Sequence, residues 1–134
     1  MSIQLEIVTP EQRVYSGSVG SVKVPGTEGS FGVLPRHVPM LAGVAVGAIS
    51  FKEPGGSEQY VSTSGGFVEV DGQSVTVLAE TAELAGHIDV DRARVARQRS
   101  EDRLNRAHEE DVDRIRAEAS LSRALNRLKL AGGL

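Results

Sequence analysis

The chain has 134 residues, of which 40% are apolar and 25% are charged, and its net charge is −3. This length fits one domain, or one domain with an appended unit. Because the sequence contains no cysteine, disulfides, thiolate metal sites and cysteine nucleophiles are excluded, while the redox compartment stays open. The first residues are unlike a signal peptide, and the longest uncharged run, 38–51, is shorter than the roughly 20 residues of a membrane span. We therefore expect a soluble chain.

Charge and composition change along the chain near Gly86. Residues 1–87 carry four basic and nine acidic side chains, a net charge of −5, whereas residues 88–134 carry eleven basic and nine acidic ones, a net charge of +2. All five aromatic residues and all five prolines lie in the first part. Such a break predicts two structural units, 1–86 and 87–134.

The first unit has the pattern of short β-strands. Polar and apolar residues alternate in runs that end at proline, glycine or aspartate. The predicted strands are 3–8, 19–24, 44–51, 59–64, 67–70 and 74–80. Asp71-Gly72 lies between the last two and predicts a tight hairpin turn. Strands of this length and spacing favour an antiparallel sandwich or small barrel, with a core of valine, isoleucine and leucine.

The second unit has the pattern of two helices, 89–107 and 112–130, which contain neither glycine nor proline. With the short polar segment between them, they predict an antiparallel helical hairpin, so the fold class is α+β with an N-terminal β-sandwich. One face of the first helix is lined mostly by small side chains: Asp89, Ala93, Ala96, Ser100, Leu104 and Ala107.

The second helix is apolar on two nearly opposite faces. One face holds Val112, Ile115, Ala119, Ser122 and Leu130, and the other holds Ala117, Leu121, Ala124, Leu125 and Leu128. One of these faces can pack on the first helix. The other either lies on the β unit or changes its partner between two conformational states.

Arginines cluster on one side of each helix. The clusters are Arg92, Arg99, Arg103 and Arg106 on the first helix, and Arg116, Arg123 and Arg127 on the second. Each cluster is either a solvated face or part of a site for an anion held between the helices, because guanidinium groups suit phosphate geometry. A sequence pI of 5.6 and interleaved acids argue against nucleic acid. The histidines have no metal-ligand spacing, and no catalytic triad or carboxylate pair stands out.

Three stretches of the sequence strongly resemble the epsilon subunits of F-type ATP synthases. They are "VTPEQRVYSGSVGSVKVPGTEGSFGVLPRHVPML" (8–41), "VSTSGGFVEVDGQSVTVLAETAE" (61–83) and "LNRLKL" (125–130). The family fold is a β-sandwich followed by a helical hairpin, which agrees with the fold predicted from the residues. The resemblance implies a non-catalytic rotor subunit of the central stalk. It also implies that the subunit lies at the cytoplasmic face of the bacterial cell membrane and reaches the membrane only through the complex.

By this resemblance, the sandwich docks on the gamma subunit and the c-ring through residues 28–43. The candidate contacts are Glu28, Ser30, Phe31, Arg36, His37, Pro39, Met40 and Leu41. The hairpin would either fold against the sandwich or extend along gamma into the catalytic head. There, its basic residues would meet the alpha and beta subunits and inhibit ATP hydrolysis. No cofactor is required.

Some bacterial members of the family bind ATP through an Ile/Leu-Asp-x-x-Arg-Ala motif, and this sequence matches it at Ile88, Asp89, Arg92 and Ala93. The resemblance adds Glu83, Arg99, Arg123 and Arg127 as further candidates, so ATP is the expected regulatory ligand. Two other classes stay open on the sequence alone. They are a free-standing ligand-binding β module with a helical tail, and a nucleic-acid-binding adaptor.

Overall fold

The computed structural model describes residues 2–106 and 113–132, which form ten strands followed by two helices. The chain divides into two compact units, the first ending at Ala85 and the second beginning at Gly86. The strands are β1 (Ile3–Val8), β2 (Arg13–Val19), β3 (Ser21–Gly26), β4 (Gly29–Val33), β5 (Met40–Val44), β6 (Gly47–Lys52), β7 (Glu58–Thr63), β8 (Gly66–Val70), β9 (Ser74–Ala79) and β10 (Ala82–Leu84). A 3₁₀ turn (Ala85–His87) leads to α1 (Val90–Asn105) and α2 (Arg114–Leu130). Neither helix, over its described length, is both apolar enough and long enough to cross a bilayer.

The strands of the first unit follow one another in the order β10-β7-β6-β3-β5-β8-β9-β1-β2, and β4 pairs with β3. β3 pairs with both β5 and β6, at its two ends, so it bridges the two halves of the sandwich. Every pair is antiparallel except β1 with β9, which is parallel. The β1–β9 pair places the first strand of the chain between β9 and its hairpin partner β2.

The core of the sandwich is aliphatic, as the composition predicted. In β1 the alternate residues Ile3, Leu5 and Ile7 are buried, and in β9 so are Val75 and Val77. Phe51 is the one aromatic side chain in the core cluster of fully buried residues in the described ranges. The ring of Tyr15 packs at 4.3 Å from it, centroid to centroid, at the edge of this core.

The strand predictions were right about type but incomplete. The predicted strand 19–24 spans the break at Gly20 between β2 and β3, and 44–51 spans the break between β5 and β6. β2 apart from Val19, β4, β10 and most of β5 were missed. β4 reads GSFGV, which has too few apolar residues for alternation to be visible, and it pairs only with β3. Tertiary pairing, rather than local propensity, makes these segments strands.

The helices of the second unit pack against each other. Their fully buried side chains are Ala93 and Ser100 on α1 and Ala117, Ala124 and Leu128 on α2. These positions confirm the small-residue face of α1 and identify the packed face of α2. Ile115, on the other face of α2, is 82% exposed. Ala107 and Val112 lie outside the described residues.

Substituting Gly66 with alanine should strongly destabilise the sandwich. Gly66 has a φ of 150°, and an added Cβ would overlap the carbonyl oxygen of Leu78 on the paired strand and lie 2.9 Å from the Cα of Ala79. We expect the free energy of unfolding to fall by about 2–4 kcal/mol, measured by urea denaturation. Gly55→Ala is the control, since Gly55 also has a positive φ, 74°, but its Cβ would meet nothing within 4 Å. Equal losses in the two variants would contradict the role given to close strand packing.

Candidate functional site

The predicted docking segment, 28–43, forms the tip of the β3–β4 hairpin, strand β4, a tight turn and strand β5. Its predicted contact residues differ in accessibility. Phe31 and Met40 are half-buried and pack against the core. Glu28, Ser30, Arg36, Pro39 and Leu41 are exposed, and His37 is half-buried. A partner can therefore reach most of these side chains, but only the outer parts of Phe31 and Met40.

The turn in the middle of this segment is formed by residues 34–37. The backbone N–H of His37 donates to the carbonyl of Leu34 over 3.1 Å. Pro35 is the second residue of the turn, and Arg36, the third, has a φ of 69°. This is the geometry of a type II turn, in which the third residue requires a positive φ. The side chains of Leu34 and Val38 on either side are 63% and 74% exposed.

Three large apolar side chains on the outer surface of the sandwich form what we call the outer patch: Leu41, Phe67 and Leu78. They are 72%, 60% and 56% exposed, respectively. Phe67 of β8 lies directly opposite Leu78 of β9, and Leu41 of β5 is diagonal to Phe67 across the β5–β8 pair. Neighbours of this kind on one face of a sheet are close enough for their side chains to meet. The outer patch therefore continues the docking segment across three strands.

Phe67 and Leu78 were missed in the sequence, although a signal was present. In β8, the buried residues are Val68 and Val70, so Phe67 shares the outward face with Glu69. In β9, the buried residues are Val75, Val77 and Ala79, so Leu78 points outward with Thr76. A large apolar residue on the polar side of an alternating strand indicates a contact surface.

The candidate nucleotide motif lies at the start of α1. Asp89 is the N-cap, and its Oδ1 accepts a hydrogen bond from the backbone N–H of Arg92 over 3.0 Å. Ile88 is 8% exposed and Ala93 is fully buried. The side chain of Arg92 is exposed. The motif thus combines two buried apolar residues, a capping carboxylate and an accessible guanidinium within six residues.

The second helix begins in the same way. Asp113 is the N-cap of α2, and its Oδ1 accepts from the backbone N–H of Arg116 over 3.0 Å. Such caps satisfy backbone N–H groups that have no partner inside the helix, and each contributes roughly 1 kcal/mol. The sequence places Asp113 among the acids of the short segment 108–113, near the predicted helix start, but does not single it out as the cap. Its cap shows that the start of α2 is fixed locally, by residues of its own first turn.

The arginines of the helices fall into two groups. Arg94, Arg97 and Arg114 form ion pairs with Asp91, Glu101 and Glu118 at N–O distances of 3.8, 3.0 and 3.1 Å. By contrast, Arg92, Arg99, Arg103 and Arg116 form no ion pair with any residue in 2–106 or 113–132. Arg123 donates from Nη2 to the hydroxyl of Ser120 over 3.0 Å, a neutral acceptor. The arginines predicted to face an anion are thus largely separate from those neutralised by neighbouring carboxylates.

The remaining candidates lie on both units. Glu83 is on β10, opposite Ser62 of β7, and therefore belongs to the sandwich unit. Arg99, Arg123 and Arg127 belong to the helical unit. Arg127 is half-buried, and its side chain or backbone interacts with another group of the protein. Among the described residues, no group of three or more acids or histidines is arranged to hold a metal ion.

Two family models match consecutive parts of the chain. The beta-sandwich domain of the ATP synthase delta/epsilon chain matches residues 2–85, and the long alpha-helix domain of the same chain matches residues 87–132. Curated relatives named ATP synthase epsilon chain include one from Halalkalibacterium halodurans, which is 50% identical over 131 residues and 98% of each chain. One from Nitratidesulfovibrio vulgaris is also 50% identical, over 98% of this chain and 96% of its own.

Solved structures share the fold at lower identity. A chain in the mitochondrial ATP synthase of Euglena gracilis, in an assembly described as OSCP/F1/c-ring, superposes with a TM-score of 0.81 at 23% identity, over 97% of this chain and 81% of its own. A chain in the central stalk and c-ring assembly of Tetrahymena thermophila gives a TM-score of 0.61 at 14% identity, over 98% and 97%. At these identities the superpositions show only that the fold is shared.

Proposed function

The chain belongs to the ATP synthase delta/epsilon chain family, and we propose that it works in the central stalk as the rotor subunit that docks on the gamma subunit and the c-ring. The membership confirms the resemblance seen in the sequence, and with it the expectation of a non-catalytic subunit. The observation that carries the proposal is 50% identity to epsilon chains over 98% of the sequence, through both domains. Its place at the cytoplasmic face of the bacterial membrane, peripheral and held by the complex, is part of the proposal.

The exposed surface of the sandwich supports a docking role. The outer patch and the exposed ends of the 34–37 turn place five large apolar side chains in solvent: Leu34, Val38, Leu41, Phe67 and Leu78. Large apolar side chains that adjoin one another on a surface are typical of protein contacts. A free-standing ligand-binding β module would not need such a surface. Nine acids are interleaved with the eleven basic residues of 88–134 and leave a net charge of only +2, which argues against a nucleic-acid adaptor.

Replacing Phe67 with serine should weaken docking without unfolding the sandwich, because its ring is 60% exposed. We expect at least a tenfold loss in affinity for an ATP synthase preparation depleted of this subunit, about 1.4 kcal/mol, measured as rebinding of the labelled chain. Tyr60→Ser removes another exposed aromatic side chain, on β7, away from the outer patch, and should bind as the wild type does. Equal affinities of wild type and Phe67→Ser would exclude the outer patch as a contact.

We propose that the hairpin inhibits ATP hydrolysis by changing its partner. α2 packs on α1 through Ala117, Ala124 and Leu128, and its other face leaves Ile115 82% exposed. A helix with two apolar faces can exchange one packing surface for another. The net charge of +2 on residues 88–134 suits acidic regions of the alpha and beta subunits.

Deleting residues 88–134 should raise ATP hydrolysis by the assembled complex several-fold, because the inhibitory helices are absent while the sandwich strands, which end at Leu84, are kept. The measurement is the steady-state hydrolysis rate of complexes reconstituted with full-length or truncated chain, with rebinding checked in parallel. Unchanged hydrolysis in complexes that hold the truncated chain would rule out the inhibitory role.

We further propose that ATP binds the folded hairpin as a regulatory ligand. Support comes from the motif at Ile88, Asp89, Arg92 and Ala93, and from the exposed guanidinium groups of Arg92 and Arg99, which form no ion pair with the residues that the structure describes. The cap uses Oδ1 of Asp89, and a carboxylate can accept more than one hydrogen bond. Arg92, Arg99, Arg123 and Arg127 of the helical unit would hold the phosphates.

Calorimetric titration of the isolated chain with ATP tests this proposal. We expect Arg92→Ala and Arg123→Ala to weaken binding about tenfold or more, because each removes a charge-assisted contact to phosphate. Arg94→Ala and Arg114→Ala are matched controls, since these arginines lie on the same helices but pair with Asp91 and Glu118. Absence of heat at millimolar ATP, or equal losses in all four variants, would contradict a phosphate site at the selected arginines.

A further inference from the structure

Arg36 is the one non-glycine residue with a positive φ in the described part of the chain. It is the third residue of the turn 34–37, where glycine or asparagine is the favoured choice. A side chain in this left-handed region costs on the order of 1 kcal/mol relative to glycine. The turn therefore has a residue whose backbone preference opposes the conformation that it adopts.

A backbone hydrogen bond to a neighbouring turn, rather than the side chain of Arg36, fixes the conformation of the turn 34–37. The backbone N–H of Arg36 donates to the carbonyl of Gly72 over 3.0 Å, which ties the turn to the β8–β9 turn. Within the β8–β9 turn, Oδ1 of Asp71 accepts hydrogen bonds from the backbone N–H groups of Gln73 and Ser74, over 3.1 and 2.8 Å. These hydrogen bonds hold the pKa of Asp71 below its usual range and fix the second turn. None of the bonds needs the side chain of Arg36, so the same backbone could be formed with glycine.

The guanidinium of Arg36 has no acidic partner within the sandwich strands and turns that the structure describes. It is exposed, and the residues two positions before and after it, Leu34 and Val38, are exposed as well. Residues 1–87 carry four basic side chains and nine acidic ones, so the positive charge of Arg36 is opposite in sign to the net charge of this part of the chain. An apolar–cation–apolar arrangement of this kind suits a protein surface that offers a carboxylate among apolar groups.

We propose that Arg36 is kept in its strained conformation because its guanidinium binds a carboxylate of the subunit on which the docking segment sits. The inference rests on the proposed docking function and adds the residue that provides its charge contact. A lipid headgroup is the less suitable partner, because recognition of an anionic membrane surface uses clusters of about four to eight basic side chains. The sandwich has four in all and is acidic overall.

The test compares stability and docking in the same variants. Arg36→Gly should raise the thermal midpoint of the full chain by a few degrees, since the backbone strain is removed. The same variant should rebind about tenfold more weakly to the depleted ATP synthase in detergent. Arg36→Ala should lose as much affinity without the gain in stability, and Arg36→Lys should lose less. Arg13→Ala, which removes an exposed arginine of β2 elsewhere on the sandwich, should change neither quantity more than slightly.

Each outcome bears on the proposal. Wild-type affinity should fall with added salt, and the affinity of Arg36→Ala should fall less. Tight rebinding by Arg36→Gly would overturn the proposal while leaving the docking function intact, whereas failure of the wild-type chain to rebind would remove the docking function itself. Weak binding by Arg36→Gly together with normal binding by Arg36→Ala would place the effect in the backbone and also overturn it. Flotation with anionic vesicles that depends on Arg36 would assign the contact to lipid instead.

Discussion

The sandwich depends on the insertion of β1 between β2 and β9. Ile3, Leu5 and Ile7 are at most 1% exposed, so this strand contributes every second residue to the core. Because side chains alternate along a strand, burial of Val77 on β9 directs Leu78 outward, and burial of Val68 on β8 directs Phe67 outward. The outer patch is thus carried by the strands that form the core. A surface built this way cannot shift without disturbing the core, which suits the rotor role proposed for this chain.

The helical unit is held together differently. Of the buried side chains on its two described helices, Ala93, Ser100, Ala117 and Ala124 are small, and only Leu128 is large. A buried methylene contributes about 0.8 kcal/mol, so small side chains stabilise the pair of helices weakly compared with a leucine seam. The caps at Asp89 and Asp113, by contrast, depend only on the first turn of each helix. The helices can therefore persist as helices when their packing changes, which the proposed exchange of partners requires.

Much of this fold could be predicted from the sequence, because the core is formed where alternation is strongest. The hairpin at Asp71-Gly72, the aliphatic core and the small-residue face of α1 all follow from local pattern. The parallel β1–β9 pair and strand β4 could not be predicted, because their pairing depends on residues far apart in the chain. For the candidate sites, the sequence placed the motif at Asp89 and Arg92. Spacings of three or four residues between arginines and acids allow several ion pairs, but do not decide which of them form. That distinction depends on side-chain reach across one helical turn, as for Arg97 and Glu101.

The weak packing between the two helices also determines how far a ligand could shift the ratio of folded to extended hairpin. A ligand that binds only the folded hairpin adds about 2.7 kcal/mol at a concentration one hundred times its Kd, which changes the ratio of folded to extended forms roughly a hundredfold. Reversing a ratio of 1:99 completely requires about twice that energy. A nucleotide can therefore control the hairpin only if the two forms are already close in free energy. Alanine and serine at positions 93, 100, 117 and 124 favour that balance, whereas leucines there would keep the hairpin folded whatever the ATP concentration.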